Sequence, residues 1–153
     1  LNKINPHIIF SKYLENQLYD FQHDGVRWLL EGSNRILADD MGLGKTVQVL
    51  IALQKMIFDS NVESALLLAP NSLTANWLQE MQIWAPNLIA QVVTNETLRN
   101  SVETKKTFMN NNLIIANYSA GEALSEYLAE HQQQLDLLIC DEAHKLRLFP
   151  FKP

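Results

Sequence analysis

One cysteine and four histidines are all that this 153-residue chain offers as thiol and imidazole groups. A lone Cys140 cannot close an intramolecular disulfide and points to a reducing compartment. His7, His23, His131 and His144 are too scattered to supply the paired ligand spacing of a structural zinc site. Long apolar runs are also missing. The longest, residues 49–53 and 65–69, fall far short of the roughly 20 residues a membrane-spanning helix needs. No charged-then-apolar leader opens the chain, and its first residue is Leu rather than Met, which reads as a piece of a longer protein. Positive charge is scarce: 12 Lys and Arg face 17 Asp and Glu, a net charge of −5. That balance excludes a small basic module held on nucleic acid by charge alone. What remains is 47% hydrophobic and 19% charged, an ordinary globular composition that can bury a sizeable core. One intracellular domain, with no internal repeat, is the expectation.

Helical and strand-like periodicities alternate along it. Leu18, Phe21, Gly25, Trp28 and Leu29 share a helix face; residues 35–38 then read as a short buried strand, followed by a glycine-containing turn. Val47, Leu50, Ile51, Leu53 and Ile57 recur at helical spacing, and residues 65–69 form a second buried strand ended by Pro70. Leu73, Trp77, Met81 and Trp84 make the next helical stripe, stopped by Pro86, and strand-like runs return at 88–93, 113–116 and 135–140. A helix opened by a Ser119–Glu122 capping box precedes the last of these. Short, continuously apolar strands separated by helices are what a parallel sheet covered on both faces requires. The fold class is therefore α/β, a doubly wound parallel sheet.

The segment LADDMGLGKT, residues 37–46, lies between a strand-like run and a helical one. That context gives a phosphate-binding pattern its mechanism. Gly42 and Gly44 let the backbone turn its N–H groups onto a phosphate chain, and the helix that follows offers the same anion its positive end. Asp40, Met41, Gly42, Leu43, Gly44, Lys45 and Thr46 are thus the nucleotide-binding candidates. Lys45 would reach the terminal phosphates and the Thr46 hydroxyl would ligate Mg²⁺. The full G-x-x-x-x-G-K-[ST] pattern calls for glycine at position 39, where this chain has Asp39.

The segment LLICDEAH, residues 137–144, sets two adjacent carboxylates at the end of a strand-like run. In a parallel sheet, ligands bind at the carboxyl ends of strands. Asp141 is placed to hold Mg²⁺ through its hydration shell, and Glu142 to orient or deprotonate the water that attacks a γ-phosphate. Together the two segments specify Mg²⁺-dependent nucleoside triphosphate hydrolysis.

LADDMGLGKT followed by LLICDEAH resembles the first RecA-like lobe of superfamily-two helicases, a P-loop NTPase fold, and specifically the Swi/Snf-type DNA translocases. Residues 18–29, LYDFQHDGVRWL, resemble that family's adenine-recognition segment, which implies ATP and makes Gln22 the reader of the adenine edge. Residues 66–77, continuing to Trp84-Ala-Pro86, are similar to a family motif whose loop lies along a DNA strand, and residues 115–118 resemble the next. Asp40 stands where the family commonly has Glu, and after the acidic box the chain reads Lys145-Leu-Arg where the family has a basic residue followed by Asn.

The resemblance implies a single N-terminal ATP-binding lobe over 1–153, partial at its C-terminal end, whose parent carries a second RecA-like lobe. Such a lobe supplies arginines worth roughly 10³–10⁵ in rate, so this chain alone is expected to hydrolyse ATP negligibly. Double-stranded DNA is the implied partner. Its candidate contacts are Asn71, Ser72, Thr74 and Lys145, since phosphates are held by N–H groups and hydroxyls as well as by charge. Helix N-capping is the competing reading for Asn71 and Ser72, and an exposed helical position is the competing reading for Gln22. The Trp77, Met81, Trp84 stripe and Cys140 read as packing. His144 is expected to couple the nucleotide site to the DNA-contacting motifs, with Glu142 as catalytic base. The alternatives are a DEAH-type RNA helicase, a restriction-system motor subunit, or a non-hydrolysing module that uses ATP as a switch.

Overall fold

The computed structural model describes residues 17–144. These fall into two compact units, one of residues 17–61 and 77–88, the other of residues 62–76 and 89–144. None of the described helices is long and apolar enough to cross a membrane.

The first unit is helical. Helix α1 (Asp20–Leu30) opens with the Gln22 side chain reaching back to the Tyr19 N–H (3.1 Å), which satisfies one of the donors a helix start leaves open. Helix α2 (Lys45–Phe58) starts directly after Gly44 and buries Leu50, Ile51, Ala52 and Leu53 in succession. A helix buried on consecutive positions is enclosed on all sides rather than amphipathic. It ends by turning Ser60 into the left-handed region (φ 57°), with Asn61 N–H bonded to Met56 O and Ser60 N–H to Ile57 O. Leu18 and Val26 pack against Val47, Ile51 and Ala52, with Leu29 and Trp84 alongside.

The strand expected at residues 35–38 does not form. Residues 35–40 lie outside any ladder and Ile36 is 83% exposed. A strand exists only through its partners, and this segment instead folds back on α1. The Arg35 guanidinium stacks 3.9 Å over the Trp28 ring, and Trp28 Nε1 donates to the Ile36 carbonyl (3.4 Å).

The second unit carries a four-stranded parallel sheet, β1 (Ala65–Ala69), β2 (Ala90–Val93), β3 (Leu113–Asn117) and β4 (Leu137–Cys140), in the order β2-β3-β1-β4. Helix α3 (Thr74–Trp84) follows β1 through a 3₁₀ turn at Asn71–Leu73. Helices α4 (Asn95–Arg99) and α5 (Ser101–Asn110) join β2 to β3, and α6 (Gly121–Glu130) joins β3 to β4. The expected parallel α/β architecture is what this unit shows. Leu66, Val93, Phe108, Ile114, Ala116, Leu124 and Tyr127 form its core. Central β1 and β3 are nearly all buried, which explains their unbroken apolar sequences. Asp136 aligns the start of β4: its Oδ2 accepts from the Glu63 and Ser64 N–H groups (2.9 and 3.0 Å) just before β1. Those two bonds hold its carboxyl below the ordinary carboxylate range.

Of the expected Ser119–Glu122 capping box, the Glu122 side chain lies outside the described residues, and Ser119 takes part in an earlier cap. Asn117 Oδ1 accepts from the Ala120 N–H (2.9 Å), and Ser119 Oγ donates to that same oxygen (2.7 Å). A 3₁₀ turn at Tyr118–Ala120 therefore precedes α6, because an asparagine side chain reaches the N–H three residues on as well as serine does.

Candidate functional site

In the first unit, Gly42 (φ 84°) and Gly44 (φ 72°) both occupy the left-handed region that side chains disfavour. Gly44 is the N-cap of α2, so the turn delivers Lys45 and Thr46, both half-buried, onto the first turn of a fourteen-residue helix. The Lys45 ammonium is held across the turn by the Asp39 carbonyl (2.7 Å) and the Asp40 carbonyl (2.9 Å). Asp40, Met41, Gly42 and Leu43 are exposed on the turn itself.

Gln22 is buried, at 8% exposure, which removes the exposed-helix alternative. Its Nε2 donates to the Leu43 carbonyl at 3.2 Å, and a Cβ added to Gly44 would collide with this amide. The adenine-recognition candidate is thereby tied to the glycine turn. Gln48 is fully buried, and its Nε2 donates to Asp39 Oδ2 (2.9 Å) and, more weakly, to Leu43 O (3.4 Å). Sequence reasoning missed Gln48. The available signal was a polar side chain inside an otherwise apolar helix, one turn after Lys45.

In the second unit the register brings the carboxyl ends of three strands to one edge. Leu68 pairs with Cys140, and Ala69 with Asn117. Asp141, Glu142 and His144 leave this edge from β4, Asn117 and Tyr118 leave it from β3, and Asn71, Ser72 and Thr74 leave it from β1. Asp141 is gripped by its backbone: its N–H donates to Leu68 O (2.8 Å), and the Tyr118 hydroxyl donates to its carbonyl (2.6 Å). Glu142 then sits in the left-handed region (φ 53°), a non-glycine outlier of the kind found at functional sites. Its carboxylate lies 3.2 Å from His144 Nδ1, and both side chains are exposed. Burial, with the neighbouring Cys140, Asp141 and Glu142, pushes the Tyr118 hydroxyl up to about 12. Burial likewise raises the Cys140 thiol, as befits a packing residue.

On the β1 side, neither Asn71 nor Ser72 caps α3. Asn71 Oδ1 accepts from Asn117 Nδ2 (3.2 Å), and Thr74 Oγ1 donates to Asn71 O (3.0 Å). Asn71 and Ser72 are exposed and Thr74 is half-buried. Trp77 and Met81 are buried and Trp84 is half-buried, so the stripe is core. Lys145 lies outside the described residues. Sequence reasoning had assigned no role to Tyr118, whose reach to Asp141 depends on the β3-β1-β4 order rather than on any spacing.

The family model of the SNF2-related domain matches residues 21–149 of this chain. The chain belongs to the SNF2-related domain family. Among its curated relatives, it is 35% identical to the DNA excision repair protein ERCC-6-like of Bos taurus over 94% of its own length. It is 26% identical to the DNA repair and recombination protein RAD54-like of Gallus gallus over 95%. It spans 12% and 23% of those relatives' lengths. The SWI2/SNF2 ATPase core domain of Sulfolobus solfataricus superposes with a TM-score of 0.66 at 25% identity, covering 80% of this chain and 24% of that one. The same organism's core in complex with dsDNA superposes at 0.72 and 24% identity, over 86% of this chain and 27% of that one. The SNF2-related match extends through both the glycine turn and the acidic box.

Proposed function

We propose that this chain is the N-terminal ATP-binding lobe of an intracellular DNA-dependent ATPase that translocates along duplex DNA. The observation that carries the reading is the glycine turn with two left-handed residues opening directly onto Lys45 and Thr46 at the start of α2. Backbone N–H groups at such a turn bind phosphate oxygens. In this reading residues 40–46 cradle the phosphates of ATP, and Lys45 leaves the Asp39 and Asp40 carbonyls to meet them. Gln22, fixed beside the turn, reads the adenine.

Among the described residues no group of three or more acidic, histidine or cysteine side chains could by itself hold a metal. That fits Mg²⁺, which takes one or two protein oxygens and completes its shell with water and substrate phosphates. The Thr46 hydroxyl and the Asp141 carboxylate are the hard oxygen donors proposed for it. When bound, the ion neutralises charge developing on the phosphates. Glu142 positions and deprotonates the attacking water as catalytic base, and His144 beside it links that base to the DNA-contacting loops. Asn71, Ser72 and Thr74 at the sheet edge, with Lys145 following the acidic box, hold DNA phosphates through neutral donors and one cation. Arginines from a second RecA-like lobe complete the site, so the lobe alone is expected to turn over slowly. The names of its relatives, a DNA repair protein and a repair and recombination protein, agree with a DNA partner.

The test is ATP turnover by the full-length protein at fixed salt, without nucleic acid and with duplex DNA, single-stranded DNA or RNA. Stimulation by duplex DNA, abolished by Lys45→Ala and by Glu142→Gln, is the expected result. Stimulation by RNA alone would move the protein to the RNA helicases. Tight ATP binding without turnover would leave only an ATP-driven switch.

A further inference from the structure

Helices α1 and α2 interlock through two glutamines and two glycines. Gln22 of α1 lies over Gly44, where a Cβ would strike its amide. Gln48 of α2 lies over Gly25, and a Cβ there would fall inside its carboxamide. Both amide nitrogens converge on the Leu43 carbonyl, at 3.2 and 3.4 Å. Gln48 reaches further, to Asp39 Oδ2 at 2.9 Å, on the far side of the turn. Its orientation is dictated by chemistry: the Asp39 carboxylate and the Leu43 carbonyl only accept, so Nε2 must face them. Among the described residues, Oε1 is then left buried against Gly25 without a hydrogen-bond partner. An apolar side chain would escape that burial penalty in a helix enclosed on all sides. Likewise, a glycine inside α1 gives up helix propensity that alanine would supply.

From these two unfavourable features we infer that Gln48 is a positioning residue of the nucleotide site. Its buried amide bridges Asp39 and Leu43 and so fixes the spacing of the phosphate turn, and Gly25 is glycine because it must admit that amide. Asp39, the residue that stands where the phosphate-binding pattern has glycine, is the anchor of the bridge. The clasp also makes the position of α1, with Gln22, depend on the shape of the turn, so base and phosphate recognition act together. This inference rests on the proposed ATP site.

The experiment uses the full-length protein and titrates ATP and ADP against wild type, Lys45→Ala, Gln48→Met, and the cycle formed by Gly25→Ala, Gln48→Ala and their combination. Thermal midpoints are recorded without nucleotide. Gln48→Met keeps the volume and removes the bridge, and should weaken ATP and ADP binding about tenfold, in line with the loss of a hydrogen bond to a charged group. The nucleotide-free midpoint should fall by only the few degrees that one lost hydrogen bond costs, so the lost affinity is not a consequence of unfolding. In the cycle, Gly25→Ala should weaken ATP binding when Gln48 is present and have no further effect once Gln48→Ala has vacated the space. Unchanged ATP affinity in Gln48→Met, or additive effects in the cycle, would overturn the inference while leaving the ATP site intact. A wild type whose ATP binding is absent, or is indifferent to Lys45→Ala, would overturn the proposed site and this inference together. Should Gln48→Met fold poorly, the cycle decides alone.

Discussion

Removing one oxygen from Tyr118 tests how the acidic box is held. Tyr118→Phe keeps the ring and deletes the hydroxyl that donates to the Asp141 carbonyl at 2.6 Å. A neutral intramolecular hydrogen bond is worth about 0.5–1.5 kcal/mol net. About 1 kcal/mol corresponds to a fall of roughly 2–4 °C in the unfolding midpoint of a domain this size. The effect should not stop at stability. Glu142 holds a left-handed backbone that costs a non-glycine residue about 1–2 kcal/mol, and it does so next to Asp141, whose N–H is tied to Leu68 O and whose carbonyl is tied to the Tyr118 hydroxyl. With one tie cut, Glu142 should spend less time in its observed conformation. DNA-stimulated kcat of the full-length protein should then drop several-fold while KM for ATP stays within about twofold, the mark of an interaction felt after binding.

A pH signature accompanies this change. The Tyr118 hydroxyl is raised to about 12 from an ordinary value of 10.0, so the folded state keeps its proton more tightly than the unfolded chain. Its contribution is complete below pH 10 and is lost as pH rises from 10 to 12. The Phe variant should therefore show a shallower loss of stability across that alkaline range. A variant matching wild type in midpoint, kcat and alkaline limb would refute the account.

Three further outcomes are expected. Gly44→Ala combines a left-handed φ of 72° with a Cβ driven into Gln22; it should cost about 1–2 kcal/mol from the backbone alone. Faster hydrogen exchange in α1 and α2, together with lost ATP binding, would register it. The Asp136 carboxyl is held below its ordinary value of 3.8 by the Glu63 and Ser64 N–H groups. Its contribution is present above that pH and lost as pH falls through the lower folded-state value, so acid titration of Asp136→Asn should show a gentler fall in stability below about pH 4. Ile115, fully buried in central β3, should lose about 2–5 kcal/mol on truncation to Ala, seen as a lower denaturant midpoint with an unchanged slope.

The local features were legible because they depend on neighbours along the chain. The left-handed glycines of the turn, the continuously apolar β1 and β3, and the carboxylates just past β4 are each set by steric or hydrophobic preferences within a few residues. The failures share a cause. Residues 35–38 have a strand's apolar sequence, yet Arg35 and Ile36 contact Trp28 instead of a ladder. Ser119 fits a capping pattern, yet Asn117 reaches the same turn first. In each case the local pattern admits more than one partner, and the contact that forms is made with a residue outside the pattern.

The α/β class and the composition of the glycine turn and the acidic box were readable along the chain, because backbone sterics and periodic burial act locally. Tertiary structure alone decided which residues hold those pieces in shape. Gln48 reaches Asp39 only because Gly25 on another helix leaves it room. Tyr118 reaches Asp141 only because β1 and β3 are paired in a register that ends both at the edge where β4 ends. A hydrogen bond is decided by distances of a few tenths of an ångström, and between residues far apart in the chain those distances are fixed by packing rather than by spacing.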